Sequence, residues 1–322
     1  MKSNPTDAPQ VAGARSFGYR GDMTLTSLPR PDAATPDLLK PSAAPHHRVS
    51  IDSAPNAGAK AKAAFGDISE TLQLWRLVWK LSFLDIRLRY RGSILGPFWL
   101  TLSTAVMIGA LGFLYAKLFH MDIHSYLPFL SLSLILWNFL SALTAEGCTC
   151  FTLSEGMIRA SRMPLSMHAA RVVIRNFLVF AHNIVVIVVV FAIMRKVPGA
   201  QSYLIIPAFV LWFIDGLAIC LLLGVFCARF RDVPPIVGSV MQIGFFITPI
   251  LWSPAILEHR GIGTLLIEWN PFYSLLEIIR APLIGTPLTF TTWEFAFGYS
   301  LVLVVFSAVM FALARPRLAY WV

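Results

Sequence analysis

The chain has 322 residues, of which 57% are hydrophobic and 13% charged, with a mean hydropathy of +0.68 and a formal net charge of +9. This composition excludes a water-soluble globular domain and points to a polytopic α-helical membrane protein. The positive charge is no nucleic-acid footprint: 13 of the 26 Lys and Arg fall in the first 97 residues, and most others flank apolar segments, as the positive-inside rule distributes them.

Residues 1–66 are rich in Pro, Ala, Ser and Asp and lack apolar periodicity, so they are expected to be a disordered cytoplasmic tail. They contain no apolar h-region of a secretory signal peptide. Order is expected to begin with an interfacial amphipathic helix and elbow over 67–97, N-capped by Asp67 or Ser69. On a helical wheel Leu72, Trp75, Trp79, Phe83, Ile86 and Tyr90 share one face, while Gln73, Arg76, Lys80, Arg87 and Arg91 form a basic seam. Such a helix lies at the membrane interface. Gly92 and the Gly96-Pro97 pair then turn the chain into the bilayer.

Residues 98–322 read as six spans: Phe98 to Phe119, Tyr126 to Gly147, Val172 to Met194, Tyr203 to Phe226, Val233 to Trp252 and Trp293 to Ala314. Arg159, Arg162, Arg229, Arg231, Arg315 and Arg317 on one side place both termini in the cytoplasm. Between the fifth and sixth spans, "NPFYSLLEIIRAPLIG" has helical spacing with Asn270 as cap and Pro271 at the first helical position. It reads as one of one or two short re-entrant outer helices, a lid over an exit. Cys148, Cys150, Cys220 and Cys227 lie in or beside apolar segments without metal-site spacing and read as packed free thiols.

No phosphate loop, zinc helix or nucleophile elbow occurs. The polar residues within spans, Glu146, His182, Asn183 and Asp215, are costly in lipid and call for partners. Glu146 is expected to pair with Arg171 or Arg175, whereas Asp215 has no evident partner. His182 and Asn183 are expected to bond between helices.

The blocks "RYRGSILGPFWLTLS", "MIRASRMPLSMHAARVVIRNFLVFAHN", "ARFRDVPPIVGSVMQIGFFITPILW", "WNPFYSLLEIIRAPLIG" and "RPRLAYWV" stand in this order from about residue 70 onward. Together they resemble the membrane subunit of ABC-2-type polysaccharide and polyol phosphate exporters, the permeases of O-antigen (lipopolysaccharide), capsule and teichoic-acid export. The resemblance implies a non-catalytic permease of the bacterial inner membrane. It implies a homodimer with two copies of a separate ATPase, which would hold the ATP and Mg, and outward movement of a lipid-linked glycan.

By the same analogy Glu155, Gly156, Met157, Ile158, Arg159 and Arg162 form a coupling helix on the ATPase, with a second contact at Arg229, Phe230, Arg231 and Asp232. Arg87, Arg89, Arg91, Arg171 and Arg175 suit lipid phosphate or headgroups. A sugar polymer slides over flat aromatic faces, which makes Phe98, Trp99, Phe113, Tyr115, Phe119, Trp137, Phe245, Phe246 and Trp252 candidates for the passage. Asn270, Pro271, Phe272, Tyr273, Glu277 and Arg280 would form the outer gate. A membrane glycosyltransferase or polymerase, or an ABC-2 exporter of a small molecule or lipid, are the competing readings.

Overall fold

The computed structural model describes residues 56–94, 96, 98–118, 120–254, 267 and 269–322, and among them it is all helical. In chain order the helices are α1 (Ala57–Gln73), α2 (Trp75–Arg89), α3 (Phe98–Leu118), α4 (Ile123–Cys148), α5 (Glu155–Ala160), α6 (Ser166–Ile193), α7 (Ile205–Arg229), α8 (Val233–Ile247), α9 (Pro271–Ile284) and α10 (Phe290–Trp321). Most of the expected tail lies outside the described residues.

The N-terminal helix starts at Ala57, ten residues before Asp67, so neither Asp67 nor Ser69 caps it. Nor does it run unbroken to the elbow: a break at Leu74 separates α1 from α2. α2 lies on α6 through Val78, Ser82 and Ile86, spaced four residues apart along one face. Ser82 is small enough for close approach, and its hydroxyl donates to Val78 O (2.8 Å) and Arg171 O (3.0 Å). Ile86 therefore belongs to the packed face. Trp75, Trp79 and Phe83 remain outward at 59%, 50% and 45% exposure. At the elbow Gly92 has φ +88°, a left-handed conformation that a side chain resists, and α3 begins at Phe98.

Among the described residues five segments are long and apolar enough to cross a membrane: α3, α4, α6, Ser202–Arg229 and α10. The expected fifth of six spans is α8, a shorter apolar helix of 15 residues. At 1.5 Å per residue it reaches about 22 Å, less than a hydrocarbon core of about 30 Å. Its end has a local cause. Thr248 precedes Pro249, which disfavours helical geometry, and Thr248 is extended at φ −77°, ψ 137°.

α4 is the central helix, 72% buried over its most apolar window against 22% for α3 and α10. It starts from an Asp122 cap, whose carboxylate accepts from Ser125 N at 3.1 Å. Phe139 on α4 stacks on Trp212 of α7 at 5.4 Å and meets Phe177 and Phe180 of α6, knitting three helices at one level. α9 follows the expected signals: Asn270 Oδ1 accepts from Phe272 N (3.0 Å), Pro271 opens the helix and Gly285 closes it at φ +83°. The expected second of one or two outer helices cannot be placed on the described residues, since 255–266 lie outside them.

Candidate functional site: a charged layer and an exposed docking plate

At one end of the bundle five charged side chains meet. Asp85 of α2 holds Arg171, and it also accepts from Arg175 at 3.0 Å. Glu146 of α4 accepts from Arg175 (2.7 Å), Arg89 (2.7 Å) and Asn176 Nδ2 (2.7 Å). Glu146 thus pairs with Arg175 as expected, while Arg171 goes to Asp85. Burial disfavours the Arg89 charge, but the bond to Glu146 outweighs it and raises the guanidinium above its ordinary pKa. Three of the five arginines read from sequence as phosphate contacts are therefore engaged within the chain. Arg87 lies over the Phe83 ring at 4.7 Å, and Arg91 is exposed at the elbow. Beside Arg87 a pocket of about 370 Å³ is lined by Tyr90 and His182.

Asp85 went unnoticed in the sequence because it stands among basic residues. The signal was its register: Val78, Ser82 and Asp85 follow at i, i+4 and i+7, on the face that α6 covers.

Asp67 is a helix cap after all, but for a different helix. α6 has Leu165 at its N-cap, which cannot satisfy the first backbone donors. Asp67 supplies the missing acceptors across the fold, taking hydrogen bonds from Leu165 N (3.1 Å), Ser166 N (2.8 Å) and Ser166 Oγ (2.6 Å). Arg315 of α10 completes the group at 2.9 Å. One buried carboxylate thereby ties α1, α6 and α10 together.

Between α4 and α6, α5 sits on the bundle by Met157, packed near Val78, and by Ile158. Its Gly156 and Arg159, with Arg162 just beyond, face outward. Arg159 pairs with Glu155 at 2.9 Å and donates to Val322 O at 3.1 Å. The second patch, Arg229, Phe230, Arg231 and Asp232, is exposed throughout. The Arg229 guanidinium lies 5.5 Å from the Phe230 ring and 5.9 Å from Trp321. The two patches named from sequence therefore meet at Trp321 and Val322. Sequence reasoning missed Leu153, an apolar side chain 81% exposed at the edge of this plate.

The passage candidates separate into two groups. Phe98, Trp99, Phe113 and Phe246 point outward from the bundle, and Tyr115 is half-buried. Trp137 is buried, with its ring 5.9 Å from Phe245 and 5.3 Å from Phe272. Trp252 Nε1 donates to Phe246 O at 3.4 Å. Phe119 lies outside the described residues. A groove of about 540 Å³ runs between α4 and α8, walled by Trp137, Phe245 and Phe246 with Ser141 and Gln242 beside them. α8 leaves Ile236, Val240, Ile243 and Gln242 uncovered.

The outer-gate residues are anchored. Arg280 is 1% exposed and donates to Glu277 (2.8 Å), Ser133 Oγ (2.8 Å) and Pro249 O (2.7 Å), with its guanidinium 4.4 Å from the Phe129 ring. Asn270 Nδ2 reaches Thr248 Oγ1 at 3.0 Å. α9 is thus bolted to α4 and to the end of α8. Tyr273 contributes its ring 6.0 Å from Arg280.

Asp215 finds Ser300 of α10, which donates at 2.7 Å. The expected interhelical bond of His182 is absent among the described residues: its Nδ1 meets Leu178 O of its own helix at 2.7 Å. All four cysteines are free and buried, and burial pushes the Cys150 thiol well up, away from reactive thiolate.

No family model matches the chain. Three curated relatives do, each named O-antigen export system permease protein RfbA. One from Myxococcus xanthus is 22% identical over 66% of this chain and 82% of its own length. Two from Klebsiella pneumoniae are 21% and 20% identical over 73% of this chain and 90% of theirs. With five membrane-length apolar helices among the described residues, these matches indicate a multi-pass membrane protein that is similar to O-antigen export permeases over most of its length.

Proposed function

We propose that the chain is the membrane subunit of an ATP-driven exporter that moves a lipid-linked cell-surface polysaccharide outward across the bacterial inner membrane. It works as a homodimer with two copies of a separate ATPase and does no chemistry itself. The observation that carries this reading is the similarity to O-antigen export permeases over most of the chain. The exposed plate of Leu153, Gly156, Arg159, Arg162, Phe230 and Arg231 supports it, as a surface of cations around two apolar knobs suited to an ATPase partner. The C-terminal Val322 borders the plate, and the positive-inside distribution of Lys and Arg supports both termini in the cytoplasm.

The two copies face each other through α3 and α8, which, like α10, leave apolar faces uncovered within one chain. Gln242 and Ser239 on exposed α8 surface would be costly against lipid and suit a wet passage lined by Phe245 and Phe246. The outward Trp75, Trp79 and Phe83 of α2 sit at the headgroup level, and Arg87 and Arg91 take lipid phosphate. α9 forms the outer gate. A glycosyltransferase is disfavoured because Asp67, Asp85, Glu146 and Glu277 are each tied to arginine, leaving them unsuited to act as catalytic acids.

Closure of the ATPases pushes on α5, whose contacts with α2 and with Val322 carry the motion into the bundle. Arg159→Glu with Arg162→Glu tests this, since neither side chain supports the core. The expected outcome is loss of surface polysaccharide and of co-purifying ATPase, with membrane level and melting temperature unchanged. Normal export by the double variant would remove α5 from the coupling path.

A further inference from the structure

A slot of about 620 Å³ lies between α1, α7 and α10, away from the α4 and α8 groove. Its walls include Ala61, Ala64 and Phe65 of α1, Leu217 and Leu221 of α7, and Ala308 of α10. Among the described residues the lining has a single hydroxyl, Ser307, and that donates to Ala218 O at 2.8 Å, so none of these apolar walls seeks a polar guest. Its depth can be fixed from neighbouring contacts. Cys220, one turn along α7, packs on Gly147, which adjoins Glu146 of the charged layer. The slot therefore opens where the bundle passes from apolar core to charged boundary.

Among the described residues of its lining the one ionisable group is Lys60, half-buried at the rim, with Lys62 exposed nearby on the same helix. The acid nearest along α1, Asp67, is already committed to Arg315 and to the start of α6. An apolar slot at the boundary with cations at its mouth that no acid among the described residues pairs matches one chemistry: an acyl chain carrying an anionic headgroup. We infer that this slot holds an anionic phospholipid of the bulk bilayer, with an acyl chain between α1, α7 and α10 and the phosphate on Lys60. The lipid fills the space that Ala57, Ala61 and Ala64 are too small to close, and so seats α1 against the bundle. This site is separate from any passage for an exported molecule and does not rest on the transport reading.

The test uses the full chain in detergent with equal amounts of phosphatidylglycerol and phosphatidylcholine, and retained lipid read by native mass spectrometry. One lysine at an anionic surface predicts about a fivefold preference for phosphatidylglycerol. Lys60→Glu should abolish the preference. Ala308→Trp and Ala61→Trp, which fill the slot from opposite walls, should each lower retention of both lipids; Ala61 is on the exposed helix, so its variant reads the slot without disturbing the α7 and α10 contact. Equal retention of the two lipids by the unaltered chain would overturn the proposal, as would unchanged retention in both filled variants. A change of oligomeric state in those variants with lipid retention intact would assign the slot to a second copy of the chain and equally overturn it.

Discussion

Asp67→Ala lowers the stability of the detergent-solubilised protein by about 3–5 kcal/mol, the usual cost of breaking a buried ion pair by removing one partner. The carboxylate is 1% exposed, and its loss leaves Leu165 N, Ser166 N and Arg315 without their acceptor. The start of α6 then lacks a cap, since Leu165 offers none. Asp67→Asn keeps an acceptor oxygen but surrenders the charge, and falls between the two. Thermal unfolding followed by size-exclusion recovery checks the series. A melting temperature that ranks Ala, Asn and the unaltered chain together would show that α1 is not fastened in this way. Thr71, whose hydroxyl lies 2.7 Å from Ser166 Oγ, is the secondary tie and predicts a smaller loss.

Arg280→Ala is the second large effect, again about 3–5 kcal/mol, because it strands Glu277 and removes the donors to Ser133 and Pro249 O in a buried setting. The second substitution Glu277→Gln should recover part of that loss by removing the orphaned charge, so the pair is expected to be non-additive. Melting temperatures of the two single variants and the double variant read the coupling directly. Simple additivity would mean that Arg280 stabilises the fold through packing on Phe129 rather than through its ion pair.

What the sequence made legible follows from the strength of each physical signal. Runs such as "FWLTLSTAVMIGALGFLYAKL" give a membrane-length helix by apolar length alone, and α3 occupies that run. The Asn270-Pro271 start of α9 was readable because cap chemistry is local. Hydropathy overextended α8, since "TPILW" is apolar enough to continue a span while Pro249 stops the helix. Windowed hydropathy weighs side chains and is blind to the backbone cost before proline.

The charged partners show a different limit. Arg171 and Arg175 lie i, i+4 on one face, so their cooperation was visible, and the pairing of Arg175 with Glu146 was anticipated. Asp67 and Asp85 reach across about a hundred residues of sequence to act on α6, and nothing local marks such a partner. The expectation that Asp67 caps its own helix fails, because that helix starts ten residues earlier; its carboxylate serves the start of α6 instead, which no local pattern announces. The α5 loop was placed by resemblance. Its closeness to Arg229, through Trp321 and Val322, is a tertiary fact that no spacing in "RPRLAYWV" announces.

Outward movement of a finished polysaccharide by this chain is tested by deleting its gene. Polymer would be fractionated by chain length and by side of the inner membrane in cells that retain the ATPase. The expected result is full-length polymer held inside on its lipid carrier, restored to the surface by the unaltered chain and not by the Arg159→Glu, Arg162→Glu variant. Loss of long polymer altogether, or an unchanged polysaccharide surface, would contradict it.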